Sequence, residues 1–176
     1  MTQTGGADIM TTTSELHSMC AAFQKTVAAR PDAVALRIPG GAVEVTWAQY
    51  ATRVRRLAVG LAALGVSRGE TVGLMMVNRP EFHLCDAAAM HLGAVPFSVY
   101  NTAPAAQIPQ VFGNACNRVV CCEAQFVDRV LEAGAPWSTS STPRSTTRSG
   151  SLRWKGSVTR RSRSTRPGGR SGRTTC

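Results

Sequence analysis

The stretch TVGLMMVNRPEFHLCDAAAMHLGAVPFSVY, Thr71 to Tyr100, decides the fold. Val72-Gly73-Leu74-Met75-Met76-Val77 is short and apolar on both faces, as a buried parallel strand must be. Asn78-Arg79-Pro80 breaks it, and Pro80 suits the first turn of a helix, where a missing N–H costs nothing. Phe82, Leu84, Cys85, Ala88, Ala89 and Leu92 then recur at helical spacing and give that helix an inward face. Gly93 stops the helix, and Val95 to Val99 reads as the next strand. Strand, helix and strand in this compass make a right-handed parallel crossover. A crossover needs a sheet to lie on, so a larger α/β domain is expected around it.

Working outward, the N-terminal side supplies a helix, a hairpin and a second helix. Ser14 is placed as the cap of a helix running to about Ala29, with Leu16, Met19, Cys20, Phe23 and Val27 inward. Val34 to Ile38 and Val43 to Val45 form an antiparallel hairpin about Pro39-Gly40-Gly41. Thr46-Trp47-Ala48-Gln49 is a capping box. Behind it, Trp47, Tyr50, Val54, Leu57, Ala58, Leu61 and Leu64 step by three and four. Arg53, Arg55 and Arg56 could bind phosphate, but they lie mostly off that face and read as a solvated surface.

On the C-terminal side, a helix from Asn101 toward Ala115 is short or kinked, because Pro109 sits inside it. Arg118 to Cys122 is a buried strand, and Ala124 to Ala133 a helix. Such alternation means α/β with a mainly parallel sheet and flanking helices.

Charge divides the chain. All ten acidic residues, Asp8 to Glu132, precede Ala133, together with ten of the twenty basic ones, so that part is neutral. The net charge of +10 belongs to the last 44 residues and does not describe a basic domain. Cys20, Cys85, Cys116, Cys121, Cys122 and Cys176 show no zinc-ligand spacing and read as small buried hydrophobes of a reducing cytoplasm. Cys121 and Cys122, adjacent on a strand, point to opposite faces. Met1 to Thr13 is polar without an apolar core segment, so no signal peptide is expected. No apolar run reaches the ~20 residues of a membrane span. A cytoplasmic location follows as the expectation.

Two segments, Val45 to Phe82 and His91 to Ile108, resemble the N-terminal part of the adenylate-forming (AMP-binding) enzymes, and most closely the fatty acyl-CoA synthetases, or fatty-acid–CoA ligases. The resemblance rests on Thr46-Trp47, Leu64-Gly65-Val66, Asn78-Arg79-Pro80-Glu81-Phe82, Gly93-Ala94-Val95-Pro96 and Tyr100-Asn101-Thr102, in that order and spacing. It covers about Ala22 to Ala133. Glu70 stands where the family usually has Asp, and Ala103-Pro104-Ala105-Ala106 replaces a Ser/Pro/Glu-rich helix start. The resemblance implies a two-step ligase. A fatty acid and ATP give an acyl-adenylate and pyrophosphate, and coenzyme A then displaces AMP.

In intact members ATP, Mg and coenzyme A are held by a Ser/Thr/Gly-rich loop ending in Pro-Lys-Gly, an acidic ribose-binding residue, a magnesium-binding glutamate and a C-terminal lysine. Lys155 precedes a glycine, but Arg153-Trp154 stands before it with no such loop, and no acidic residue follows Glu132. No catalytic, cofactor-binding or metal residue is therefore carried over, and this fragment is expected to bind none of these cofactors.

The segment from Ala135 to Cys176 is rich in Ser, Thr, Arg, Gly and Pro and has no apolar periodicity. It reads either as a disordered basic tail that contacts nucleic acid or anionic surfaces, or as a shifted reading frame. One choice of codons for Trp137 to Thr142, read one frame over, gives Glu-His-Val-Val-Tyr, a sensible next strand. That result, with the loss of family likeness near Ala133, favours the second reading. The expected organisation is thus 1–13 disordered, 14–134 an incomplete AMP-binding-type α/β domain, and 135–176 a disordered tail. The corresponding function is a truncated ligase, inactive alone, whose partner would be a separately translated downstream half. Open sheet edges would make it aggregation-prone.

Overall fold

A computed structural model describes residues 18–133, 137–140 and 156–161. Expectations for residues 1–13, for Ser14 and for the rest of the tail, Lys155 included, lie outside these residues. The chain divides into two compact units, residues 1–52 and 53–176.

In the first unit, helix α1 spans Met19–Ala29. Its cap is Ser18, whose hydroxyl accepts from the Ala21 N–H at 3.1 Å. Strands β1 (Val34–Arg37) and β2 (Glu44–Thr46) pair antiparallel, as expected. The reversal between them holds Gly40 and Gly41 at φ +87° and +73°, a region that excludes most side chains. Helix α2, Trp47–Ala63, begins with the foreseen capping box. The Gln49 N–H donates to Thr46 Oγ1 (3.3 Å), and the Thr46 N–H donates to Gln49 Oε1 (3.2 Å). Phe23 meets Trp47 and Tyr50 edge-on, with centroids at 5.7 and 4.9 Å, so aromatic packing ties α1 to the start of α2.

The second unit is built on the crossover. Strand β3 is Thr71–Met75, α3 is Pro80–His91, and β4 is Val95–Ser98. β3 and β4 are parallel neighbours, with Pro80 in the first turn of α3 and Gly93 at φ +71° beyond its end. β3 stops short of Val77 for a physical reason: the Val77 N–H turns to a carboxylate oxygen of Glu123 at 2.7 Å. After β4 the chain makes a 3₁₀ turn, Ala105–Gln107, and then α4, Ile108–Ala115. This helix is shorter than a start at Asn101 would give, since Pro109 is accommodated only in the first turn. Strand β5, Val119–Glu123, is buried along its whole length and lies parallel to β3 on the side away from β4. A 3₁₀ turn (Ala124–Phe126) leads into α5, Val127–Glu132.

Two further strands lie in the tail, where the sequence reading gave no element: β6, Trp137–Ser140, and β7, Gly156–Arg161. β7 pairs antiparallel with β5 and β6 pairs antiparallel with β7, so the sheet order is β4-β3-β5-β7-β6.

Helices cover both faces of the parallel part. Met75, Val120 and Cys122 pack with Ile108 and Phe112 of α4 and Val130 of α5. Cys121 points the other way and meets Cys85 of α3, so the expected split of the adjacent cysteines holds. Gly73 keeps the middle of β3 thin: a Cβ there would stand 3.3 Å from Val120 Cγ2 and 3.4 Å from both Asn117 Nδ2 and Phe97 Cζ. Among the described residues no helix is long and apolar enough to cross a membrane.

Candidate functional site

In a doubly wound sheet, ligands bind beyond the carboxyl ends of the strands, where successive connections leave on opposite faces. Here α3 returns the chain to β4 on one face of the sheet, and α4 carries it back across to β5 on the other. The switch point is therefore the crevice between the C-terminal ends of β3 and β5.

That crevice holds an ionic cluster. Arg79, just before α3, donates from Nε and Nη2 to the two carboxylate oxygens of Glu81, at 2.7 and 3.1 Å. Its Nη1 donates to Glu123 Oε2 at 3.2 Å. Glu123 ends β5, and it also accepts from the Val77 N–H and from Gln125 Nε2, the latter at 3.2 Å. Glu81 is only 2% exposed, and Glu123 is also buried. Two such carboxylates can be tolerated only because guanidinium and amide donors meet them. Hydrogen bonding to Glu81 is the first cause that raises the Arg79 guanidinium further above its ordinary range. Nearby, Arg129 of α5 donates to the backbone carbonyls of Asn101 and Ala103 and so fixes the loop after β4.

These donors already have partners. Arg79 is spent on two carboxylates, Arg129 on two carbonyls, and the Val77 N–H on Glu123. A nucleoside triphosphate would need uncommitted positive charge and backbone donors, and these three donors are already committed within the chain.

At the opposite, N-terminal end of the same strands lies a cavity of about 350 Å³, lined by Gly65, Gly69, Glu70, Thr71, Asn114 and Arg118 among others. Its polar groups also hold one another. Arg118 bridges Glu70 and the Gly65 carbonyl, Glu70 accepts from the Ser67 N–H (2.9 Å), and the Thr71 hydroxyl donates to the Ala115 carbonyl (2.6 Å). The cavity sits at the end of the sheet away from the switch point.

Two of the buried thiols are held toward the protonated form. A hydrogen bond with Cys121, followed by burial, pushes Cys85 well above the usual thiol range, and burial pushes Cys122 up to about 12. Among the described residues no three His, Cys, Asp or Glu side chains converge as a metal site would require. Arg55 and Arg56 are exposed and Arg53 is half-buried, in keeping with a solvated helix face.

The sequence reading named no site residue, and it quoted Arg79 and Glu81 only as parts of a motif. The missed signal was chemical: Glu81 and Glu123 are acidic residues inside segments otherwise apolar enough to be buried.

Comparison with known proteins bears on this geometry. The family model described as AMP-binding enzyme matches residues 23–164. The match runs past Ala133, where the sequence reading ended the likeness, and so removes one ground for a shifted frame. An uncharacterized protein of Mycobacterium tuberculosis is 58% identical over 127 residues, spanning 72% of this chain and 73% of that one. Fatty acyl-CoA synthetase A of Dictyostelium discoideum is 32% identical over 87 residues, 49% of this chain and 13% of that protein. Among solved structures, a fatty acyl-CoA synthetase of Mycobacterium tuberculosis superposes with a TM-score of 0.60 at 26% identity, covering 63% of this chain and 22% of that one. The chain thus spans only 13% and 22% of the lengths of these two synthetases.

Proposed function

The chain belongs to the AMP-binding enzyme family, and from that premise we propose that it is the N-terminal scaffold portion of a fatty acyl-CoA ligase, unable to perform the reaction alone. Intact ligases of this kind join a fatty acid to coenzyme A at the expense of ATP, releasing AMP and pyrophosphate. What supports the reading is the β3-α3-β4-α4-β5 frame, which carries the family motifs in order and superposes on a fatty acyl-CoA synthetase. The committed donors at the switch point support the negative half: the crevice braces the sheet and leaves no guanidinium for a phosphate. Within these 176 residues no glycine-rich phosphate loop occurs. ATP, Mg and coenzyme A would then be held by a downstream half, and that half is the partner we assign to this chain.

The test is fatty-acid-dependent exchange of labelled pyrophosphate into ATP by the purified chain, followed by acyl-CoA formation. Neither should exceed the buffer control. Co-expression with a downstream half that carries the phosphate loop and lysine should restore both. Turnover by the chain alone would overturn the proposal.

A further inference from the structure

Successive residues of a strand face opposite sides of its sheet, and β5 carries two cysteines in a row. Cys122 enters the core under α4 and α5, with Met75 and Val130. Cys121 faces the other side, which α3 covers, and α3 brings Cys85 to meet it. Neither thiol is joined to another cysteine, and they are 1% (Cys85) and 2% (Cys121) exposed. A hydrogen bond links them across the contact between helix and strand.

Two small apolar side chains would fill this space as well, but only two thiols in contact can join. The hydrogen bond and burial hold Cys85 protonated, so the pair is quiet while α3 lies on the sheet. A disulfide is neutral, so the burial that opposes a thiolate does not oppose the product. Local opening of α3 that admits a small oxidant still leaves each thiol beside the other.

We propose that Cys85 and Cys121 are a redox clamp, oxidised by a hydroperoxide to a disulfide that fastens α3 to β5. One thiolate attacks a peroxide oxygen, the O–O bond breaks, and a sulfenic acid and water result. The second thiol then displaces the sulfenic oxygen, which leaves as water as the S–S bond forms. With hydrogen peroxide, two thiols and one peroxide give one disulfide and two waters; the sulfurs lose the two electrons that the peroxide gains. The link closes the loop that contains β4 and α4, so oxidation locks the crossover to the middle of the sheet. A thiol reductant reopens it.

The experiment treats the reduced full chain with hydrogen peroxide, blocks remaining thiols with iodoacetamide, and maps unreduced peptides by mass spectrometry. The expected product is a linked pair of peptides joined through Cys85 and Cys121. Tm of the oxidised chain should exceed that of the reduced chain by about 5–10 °C, and dithiothreitol should reverse the rise. Cys121→Ala should abolish both the link and the rise, while Cys122→Ala, whose side chain faces away, should keep both. The rise is read between oxidised and reduced forms of the same variant, so packing lost by the substitution does not enter it. The peptide map of the unsubstituted chain decides by itself if a variant fails to fold. Sulfinic acid on either cysteine without a linked pair would overturn the proposal. So would a link that leaves Tm unchanged, or one that forms only in a chain unfolded by urea.

Discussion

At the C-terminal end of the parallel sheet, Arg79 links the exit of β3 to the last residue of β5 through carboxylates whose side chains are 3% and 11% exposed. At the N-terminal end, Arg118 links the entry of β5 to Glu70 at the entry of β3, with side chains 41% and 32% exposed. Both join the same two strands, and both are an arginine on a glutamate. They differ in how far water reaches them, and that difference sets what each contributes. An exposed pair trades good hydration for a modest attraction that salt screens. In the C-terminal cluster Arg79 is itself 34% exposed, but its two carboxylates give up most of their hydration and depend on the donors that meet them.

The contrast is broken most directly at Arg79. Arg79→Met strands Glu81 with no guanidinium and leaves Glu123 only the Val77 N–H and Gln125. A loss of about 3–5 kcal/mol is expected in urea unfolding, since removing one partner leaves buried charge uncompensated. Adding Glu81→Met should restore part of it, because the orphaned carboxylate leaves with its partner. Equal losses for the single and double variants would show that the cluster does not act as a unit.

An intermediate effect is expected at the N-terminal end from the backbone, not from charge. Gly93 has φ +71°, and its N-terminal neighbours end α3. Its carbonyl accepts from the Gly69 N–H at 2.9 Å, and a Cβ on it would lie 3.1 Å from Cγ of Arg68. Gly93→Ala should cost about 1–2 kcal/mol, from the left-handed conformation and from the crowding that Arg68 must relieve. The same measurement on Arg68→Ala with Gly93→Ala separates the two causes, because only the crowding disappears.

Much of this frame was legible in the sequence, and the reasons differ from element to element. The β3-α3-β4 crossover was readable because Pro80 and Gly93 mark both ends of a helix between two apolar runs. The capping box at Thr46 is a local device and needs no tertiary information. By contrast, the cap of α1 depends on which side chain meets a free N–H, and the apolar spacing does not single out Ser18. The pairing of β7 with β5 was invisible because Gly156 to Arg161 has no apolar alternation; its place in the sheet comes from an open edge elsewhere in the chain. The ionic crevice was half visible. Arg79 and Glu81 lie two residues apart, but Glu123 reaches them only through the parallel register of β3 and β5.

The smallest effect expected is at the exposed pair. Glu70→Gln removes the charge that faces Arg118 but keeps an oxygen within reach of the Ser67 N–H, so the turn into β3 stays braced. Arg118 keeps its bond to the Gly65 carbonyl. With both side chains about a third or more exposed, water takes over what the carboxylate did, and the cost should stay below about 1 kcal/mol. Salt sharpens the comparison. Raising ionic strength to about 1 M shortens the screening length to roughly 3 Å. It should therefore erase most of the Glu70→Gln difference while leaving the Arg79→Met deficit nearly intact. If both deficits shrink alike, the C-terminal cluster is as wet as the N-terminal pair, and burial does not separate the two ends.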